Sequence, residues 1–115
     1  MNDHRPSLTP AMHHILLALL DGDLHGYAVM QAVESISGGT MRMGPGTLYG
    51  TLKRLLEAGL VEETEERPVA DDDERRRYYR LTAGGREAVR AETARLARLV
   101  KFAGRHANAI VAVQA

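Results

Sequence analysis

The 115-residue sequence has no cysteine and no tryptophan, and phenylalanine occurs once. Without cysteine the chain can form neither a disulfide bond nor a thiolate zinc site. The longest unbroken apolar run, Ile15 to Leu20, has only about a third of the residues that a helix needs to cross a bilayer. No secretory signal opens the sequence, so we expect a soluble cytoplasmic protein with no membrane partner.

The net charge is zero, with 15 basic and 15 acidic residues, but the two signs are separated along the chain. Eight acids and one base lie between Glu62 and Glu74, whereas ten bases and two acids lie between Arg75 and Arg105. A basic half beside an acidic loop is compatible with nucleic-acid binding, because the distribution of charge matters more than its sum. Length and composition otherwise indicate a single globular domain.

Apolar residues at helical spacing, together with capping signals, predict four helices. Thr9 is a suitable N-cap, and Pro10 fits the first helical position, where its missing amide hydrogen costs nothing. Glycines end the second and third helices. The predicted helices run from Thr9 to the stop at Asp21-Gly22-Asp23, from Gly26 to Ser37, from Pro45 to the stop at Gly59, and from Thr82 onwards.

Two strands, Leu60 to Thr64 and Arg77 to Leu81, are predicted between the third and fourth helices. The loop between them, Glu66 to Arg76, is highly charged and roughly ten residues long, which is the length of a wing rather than of a tight hairpin. The resulting order α-α-α-β-β-α is mainly α with a two-stranded wing. It is typical of a winged helix-turn-helix followed by a C-terminal helix.

The third predicted helix has an apolar side and a polar side. Leu52 and Leu55 fall within about 40° of Leu48 on a helical wheel, and all three should face the core. The other side carries basic and hydroxyl groups, which bind phosphates and base edges in DNA. Any solvated surface helix has a similar polar side, so this pattern alone does not distinguish a DNA-binding helix from an ordinary surface helix. The residues assigned to DNA here are Thr47, Gly50, Thr51, Lys53 and Arg54, with Tyr49 at the edge and Arg42 before the helix.

Arginines at the base of the predicted wing form a denser basic cluster. Arg75, Arg76 and Arg77 would reach phosphates beside a groove that holds the third helix. The alternative is that they only neutralise the acidic run Asp71 to Glu74, a pairing that phosphate would have to replace. That run does not have calcium-loop spacing, because Arg75 stands where an oxygen ligand is needed. We expect no metal and no other cofactor.

Six segments follow one another in a recognisable order: Leu8-Thr9-Pro10, His25-Gly26-Tyr27, Gly46-Thr47-Leu48-Tyr49, Leu52-Lys53-Arg54-Leu55, Gly59-Leu60-Val61 and Arg77-Tyr78-Tyr79-Arg80-Leu81-Thr82 with Gly85. Together they resemble the signature of the PadR family of transcriptional regulators. The resemblance implies a winged-helix dimer that represses transcription and releases DNA when a small molecule binds. Gly50 departs from the family, which commonly has proline there. The absence of tryptophan excludes a ligand mode that stacks aromatic groups between paired tryptophans.

A homodimer on a pseudo-palindromic operator of double-stranded DNA is therefore expected, with residues 1–82 binding DNA and residues 83–115 forming a dimerisation helix. The apolar stripe of this last helix should pack against the first helix of the partner subunit. By family analogy, a small apolar or aromatic effector would bind near Phe102 and His106. The residues assigned to the dimer interface are Met12, Leu16, Val89, Leu96, Val100, Ala103, Ala107 and Ile110.

The alternative function is that of a winged-helix protein-interaction module that does not bind DNA, which the acidic wing favours. Salt-dependent retention on heparin or on random duplex DNA would separate the two functions. No nucleophile elbow, phosphate-binding glycine loop or catalytic carboxylate pair is present in the sequence, so we do not expect an enzyme.

Overall fold

The computed structural model describes residues 8–64 and 77–111. The predicted order of three helices, two strands and a further helix is confirmed, with one additional short strand and a break near the end of the last helix. None of the described helices is long and apolar enough to cross a membrane. The elements are α1 (Pro10–Ala18), β1 (Leu24–His25), α2 (Gly26–Ile36), α3 (Pro45–Glu57), β2 (Val61–Thr64), β3 (Tyr78–Leu81), α4 (Ala83–Gly104) and α5 (Ala107–Val111).

The starts of α1 and α4 are capped as the sequence predicts. The Thr9 hydroxyl accepts a hydrogen bond from the Met12 amide at 3.1 Å, and the Thr82 hydroxyl accepts one from the Gly85 amide at 3.0 Å. Each bond satisfies an amide that a helix N-terminus leaves without an intrahelical acceptor. Both helix starts are therefore fixed by local interactions that the sequence alone contains.

The end of α3 directs the chain into the sheet. Gly59 has a φ of +75°, a left-handed conformation that glycine adopts without steric cost. The Leu60 amide donates to the Leu55 carbonyl at 3.0 Å, and the Gly59 amide donates to the Leu56 carbonyl at 3.1 Å. These two bonds form a Schellman motif, which confirms the predicted glycine stop.

The hydrophobic core lies where α1, α2, α3 and the sheet meet. Leu48, Leu52 and Leu55 of α3 are buried, as the helical wheel predicts. Each such side chain contributes about 1.5–3 kcal/mol through burial, so together they fix which side of α3 faces outward. The other large side chains that are fully buried are Ile15, Leu16, Leu19, Val29 and Val33.

The sheet has three strands in the order β1-β3-β2, whereas the sequence predicts only two strands. Leu24 pairs with Tyr79 and His25 with Tyr78, so β3 is the central strand. A two-residue strand is too short to show the alternation that reveals strands in a sequence. Tyr78 and Tyr79 point to opposite faces of the sheet, yet both are buried, because other elements cover each face.

The two halves of α4 lie in different surroundings. The first half packs on α1 and β3, whereas the second half extends past them and carries exposed apolar side chains. The helix ends at Gly104, and a turn at Arg105 and His106 separates it from α5. The prediction of one continuous final helix is therefore corrected by this turn.

Three residues that the sequence assigns to the dimer interface lie in the core of the single chain. Met12, Leu16 and Val89 are 6%, 0% and 6% exposed. The reason is that α4 packs across α1 of its own chain, so intrachain contacts cover the faces that the sequence analysis left for a partner. In this structure these three side chains have almost no surface for a second subunit.

The same packing of α4 on α1 buries His13. The residue is 8% exposed, and its Nε2 atom has no hydrogen-bond partner among the described residues. Burial lowers the pKa of His13; the Glu92 carboxylate opposes this shift, and His14 and Arg95 add to it. The folded chain therefore favours the neutral imidazole.

We expect the free energy of unfolding to decrease as the pH falls below about 6.5, the ordinary pKa of histidine. In this range the unfolded chain binds the proton more readily, because the pKa of His13 is lower in the folded chain. The contribution of neutral His13 is complete above a pH of about 6.5 and is lost as the pH falls towards the lowered value. Urea unfolding of His13→Leu and of the unmodified protein, measured across this range, checks the prediction.

His14→Leu is the control, since the His14 Nδ1 atom lies 2.7 Å from the Pro10 carbonyl oxygen and the ring is only half-buried. The His13→Leu variant should lose part of the acid dependence, and the His14→Leu variant should keep most of the part that His13 contributes, because burial is the largest cause of the lowered pKa. An acid dependence that is unchanged in His13→Leu would contradict the assignment.

Candidate nucleic-acid interface

The side of α3 that faces away from the core is exposed along the helix. Thr47, Gly50, Lys53 and Arg54 are exposed above the buried leucines of the same helix. Within residues 8–64 and 77–111, no carboxylate forms an ion pair with Lys53 or Arg54. Two cations, with the Thr47 hydroxyl nearly two turns earlier on the same helix, are thus available to an external anion, as contact with a DNA groove requires.

Thr51 does not belong to this exposed side, which corrects its assignment. The residue is 8% exposed, and its hydroxyl donates to the Thr47 carbonyl at 2.7 Å. On a helical wheel Thr51 lies about 60° from Leu48, so it stands at the edge of the buried stripe rather than opposite it. The hydroxyl is used within the helix, as is common for threonine.

Tyr49 connects α3 to the start of α2. A Cβ atom at Gly26 would collide with the Tyr49 hydroxyl, so the Tyr49 ring can occupy this position over the start of α2 only because residue 26 is glycine. Tyr49 is still 50% exposed. The contact therefore fixes the position of Tyr49 and leaves part of its ring at the edge of the polar side.

His25 holds the start of α2 in place. Its Nδ1 atom accepts a hydrogen bond from the Ala28 amide at 3.3 Å. Its ring lies edge-on to Tyr78 of β3, with centroids 5.5 Å apart. The segment His25-Gly26-Tyr27 thus joins α2 to both α3 and the sheet, which gives this part of the sequence signature a structural role.

Two cross-strand ion pairs lie in the wing strands. The Arg80 Nε atom is 2.8 Å from a Glu62 carboxylate oxygen, and the Arg77 Nη1 atom is 3.4 Å from a Glu63 carboxylate oxygen. Both pairs are partly exposed, so they add little to stability. They do, however, neutralise charge on Arg77, which the sequence analysis assigned to DNA.

Arg42 is likewise held before α3 by an exposed ion pair, with its Nε atom 3.4 Å from Glu34. Its assignment to DNA remains a prediction. Arg75 and Arg76 lie outside the described residues, as does the acidic run from Asp71 to Glu74.

An apolar surface occupies the second half of α4. Leu99, Val100 and Phe102 are 54%, 72% and 56% exposed. Large exposed apolar side chains are typical of an association surface. Leu99 and Phe102 lie about 60° apart on α4, whereas Phe102 lies about 160° around the helix from Val100. Of the other residues assigned to the dimer interface, Leu96 and Ala103 are half-buried and Ala107 is exposed, and the Ile110 side chain lies outside the described part of the structure.

The two residues assigned to an effector contact each other. The ring centroids of Phe102 and His106 are 4.9 Å apart, and the Arg105 guanidinium carbon lies 5.3 Å from the Phe102 centroid. The effector assignment remains a prediction. Residues 8–64 and 77–111 contain no group of three or more His, Asp or Glu side chains that could hold a metal ion.

A helix-turn-helix with an adjacent wing, whose third helix exposes its basic side, defines a winged-helix transcriptional regulator. The profile of the transcriptional regulator PadR-like family matches residues 15–91, from α1 into the first half of α4. The chain belongs to this family, which confirms the resemblance seen in the sequence.

Known proteins illustrate the relationship. The chain is 39% identical over 88 residues to the transcriptional regulator Rv3488 of Mycobacterium tuberculosis, covering 76% of this chain and 77% of that protein. It is 46% identical over 85 residues to an uncharacterized 37.1 kDa protein in transposon TN4556 of Streptomyces fradiae, which covers 74% of this chain but only 22% of that longer protein. The structure of Bacillus subtilis PadR in complex with operator DNA has a TM-score of 0.62 at 20% identity, over 76% of this chain and 48% of that chain.

Two features of the interface do not follow from the sequence. One is the contact between Tyr49 and Gly26, and the other is the pairing of the wing arginines with Glu62 and Glu63. Both join residues that are distant in the sequence, so no helical or strand periodicity reveals them. The sequence contains one signal for the contact between Tyr49 and Gly26, namely a glycine at the start of a helix. Glycine often occurs where another group approaches the backbone closely.

Alanine at Gly50 should stabilise the fold and weaken duplex binding. A Cβ atom at Gly50 would have no heavy atom within 4 Å, so nothing inside the chain requires glycine there. Alanine is favoured over glycine in a helix interior by about 1 kcal/mol, and the free energy of unfolding should rise by that amount. If the DNA backbone approaches α3 closely at Gly50, the added methyl group should lower duplex affinity at the same time.

Gly104→Ala, at an equally open position at the end of α4, should leave duplex affinity unchanged. Urea unfolding and fluorescence anisotropy with a labelled duplex measure the two effects. A destabilised Gly50→Ala variant would contradict the structural account, and unchanged duplex affinity would contradict a close approach of DNA.

Proposed function

We propose that the protein regulates transcription in the cytoplasm by binding specific sequences of duplex DNA through α3. The observation that carries this proposal is the exposed side of α3, where Lys53 and Arg54 have no carboxylate partner among the described residues. Such side chains bind phosphates and guanine edges when a helix lies in the major groove. The Bacillus subtilis regulator of similar fold, whose structure includes operator DNA, supports this function.

The buried leucines of α3 set its orientation, and each exposed side chain then has a proposed role. Arg54 reads a base edge, Lys53 neutralises a phosphate, and the Thr47 hydroxyl bonds to the DNA backbone near the helix start. Tyr49, positioned by Gly26, contacts the backbone at the edge of the groove. The further contacts proposed from the wing and the linker are those of Arg42, Arg75, Arg76 and Arg77.

We also propose that residues 1–82 bind DNA and that residues 83–115 hold two subunits together. The exposed apolar surface of α4, with Val100 at its centre, would lie between the subunits together with Leu96, Ala103, Ala107 and Ile110. Two linked recognition helices could then enter successive major grooves about 34–36 Å apart. A pseudo-palindromic operator follows from the twofold symmetry of such a dimer.

Repression would follow from occupation of an operator that overlaps a promoter. A small apolar or aromatic effector bound near Phe102 and His106 would release the DNA by favouring a different spacing of the two recognition helices. The placement is supported by the contact of these two rings near the end of α4, where apolar side chains are exposed.

Selection of bound duplexes from a random library should return a pseudo-palindrome with half-sites one helical turn, about 10 base pairs, apart. Arg54→Ala should weaken binding to that duplex by about 1–3 kcal/mol, because this is the discrimination that a bidentate arginine–guanine contact supplies. Fluorescence anisotropy titrations at fixed salt concentration measure the loss.

Arg86→Ala, which removes an exposed arginine from α4, is the matched control and should bind like the unmodified protein. Unchanged affinity of Arg54→Ala for the selected duplex would contradict its assignment. If the unmodified protein shows no salt-dependent retention on any duplex, a protein-interaction module becomes the better explanation.

Val100→Glu should dissociate the proposed dimer. The substitution would place a carboxylate without a partner in an apolar contact and would remove about 1.5–3 kcal/mol of burial from each subunit. Operator affinity should fall with dissociation, because the two half-sites then bind independently. Sedimentation velocity at micromolar concentration measures the oligomeric state.

Ala94→Glu introduces the same charge on the opposite side of α4 from Leu96, at a position that is also exposed. This control should remain dimeric. A monomeric unmodified protein at the same concentration would contradict both the proposed dimer contact and the two-half-site mechanism.

A further inference from the structure

Glu63 lies on the face of the wing sheet that packs against α3. It pairs with Tyr79 across the strands, and Tyr79 and Val61 belong to the same core cluster as the α3 leucines. Because side chains alternate along a strand, Glu63 shares the face of Val61 and continues it beyond the core. Glu62, one residue earlier, faces the opposite way and pairs with Arg80.

The surroundings of Tyr79 connect this ion pair to α3. Burial raises the pKa of Tyr79, Glu63 and Tyr49 raise it further, and Arg77 lowers it. Groups from both wing strands and from α3 therefore lie within electrostatic range of one hydroxyl. The Glu63–Arg77 pair of the wing and Tyr49 of α3 thus both lie within electrostatic range of Tyr79.

The pair is open to exchange. The Arg77 Nη1 atom lies 3.4 Å from the Glu63 Oε1 atom, and the two side chains are 72% and 43% exposed. A solvated pair of this kind is weak, so another anion can replace the carboxylate. If a DNA phosphate does so, however, the Glu63 carboxylate is left beside a group of its own charge.

We propose that Glu63 competes with DNA phosphate for Arg77 and thereby lowers the affinity of the protein for duplex DNA. The inference rests on the proposed function, namely DNA binding through α3 and the wing. Its consequence is that Arg77 adds little to sequence-independent binding, so that residence on DNA depends more strongly on the contacts of α3 with the bases.

Glu63→Gln removes the charge and keeps the size of the side chain. Affinity for a random-sequence duplex should increase roughly two- to fivefold at low salt, the range that loss of one exposed ion pair allows. The gain should fade as salt screens the charges. Because Arg77 then neutralises a phosphate without first leaving a carboxylate, the slope of log affinity against log salt should steepen by about 0.9.

Glu62→Gln is the matched control. It removes the same charge from the adjacent residue of the same strand, where Glu62 is also paired with an arginine, at 2.8 Å, but faces away from α3. Its affinity and salt slope should equal those of the unmodified protein. In an Arg77→Ala background, Glu63→Gln should no longer increase affinity, because the residue for which Glu63 competes is absent.

Equal affinities of Glu63→Gln and Glu62→Gln for the duplex would overturn the inference. Weaker binding by Glu63→Gln would also overturn it, since Glu63 would then position Arg77 for DNA rather than withhold it. If Glu63→Gln still increases duplex affinity in the Arg77→Ala background, the gain comes from removing repulsion between Glu63 and the DNA phosphates. That result would also overturn the proposed competition for Arg77. If the unmodified protein binds no duplex at any salt concentration, the proposed function fails, and the inference fails with it.

Discussion

Burial of one side of α3 is the interaction on which the other features depend. Leu48, Leu52 and Leu55 anchor the helix against α1, α2 and the sheet, and their burial leaves the opposite side facing solvent. The Schellman motif at Gly59 then leads the chain directly into β2, so the wing stands next to the same helix. The basic side of α3 and the wing are neighbours because one apolar stripe and one glycine turn place them there.

Charge on this surface depends on pairing as much as on sequence. The chain as a whole is neutral, yet Lys53 and Arg54 have no carboxylate partner among the described residues, whereas Arg77 is held by Glu63. An unpaired cation can attract phosphate directly, but a paired one must first exchange its carboxylate. Cations of equal formal charge therefore differ in what they can contribute to DNA binding.

The last long helix serves two structural purposes along its length. Val89 closes the core of its own chain, and Val100, three turns further on, is exposed. The first half makes the position of the helix depend on its packing against α1, including buried His13. A change in that packing would move the exposed half as a rigid extension, which would connect the proposed subunit contact to α1 and the elements packed on it.

The sequence by itself determined the caps at Thr9 and Thr82, the stop at Gly59, the leucine stripe of α3 and the membership of the PadR-like family. These depend on residues within one or two helical turns, or on a motif order that the chain carries directly. Tertiary structure alone decided that α4 covers α1 of its own chain and that Leu24 and His25 add a third strand. It also decided that Glu63 meets Arg77 and that Tyr49 rests on Gly26. Amphipathic periodicity indicates which side of a helix is apolar. It does not indicate which element covers that side or how two strands are aligned, because both depend on the packing of segments that are distant in the sequence.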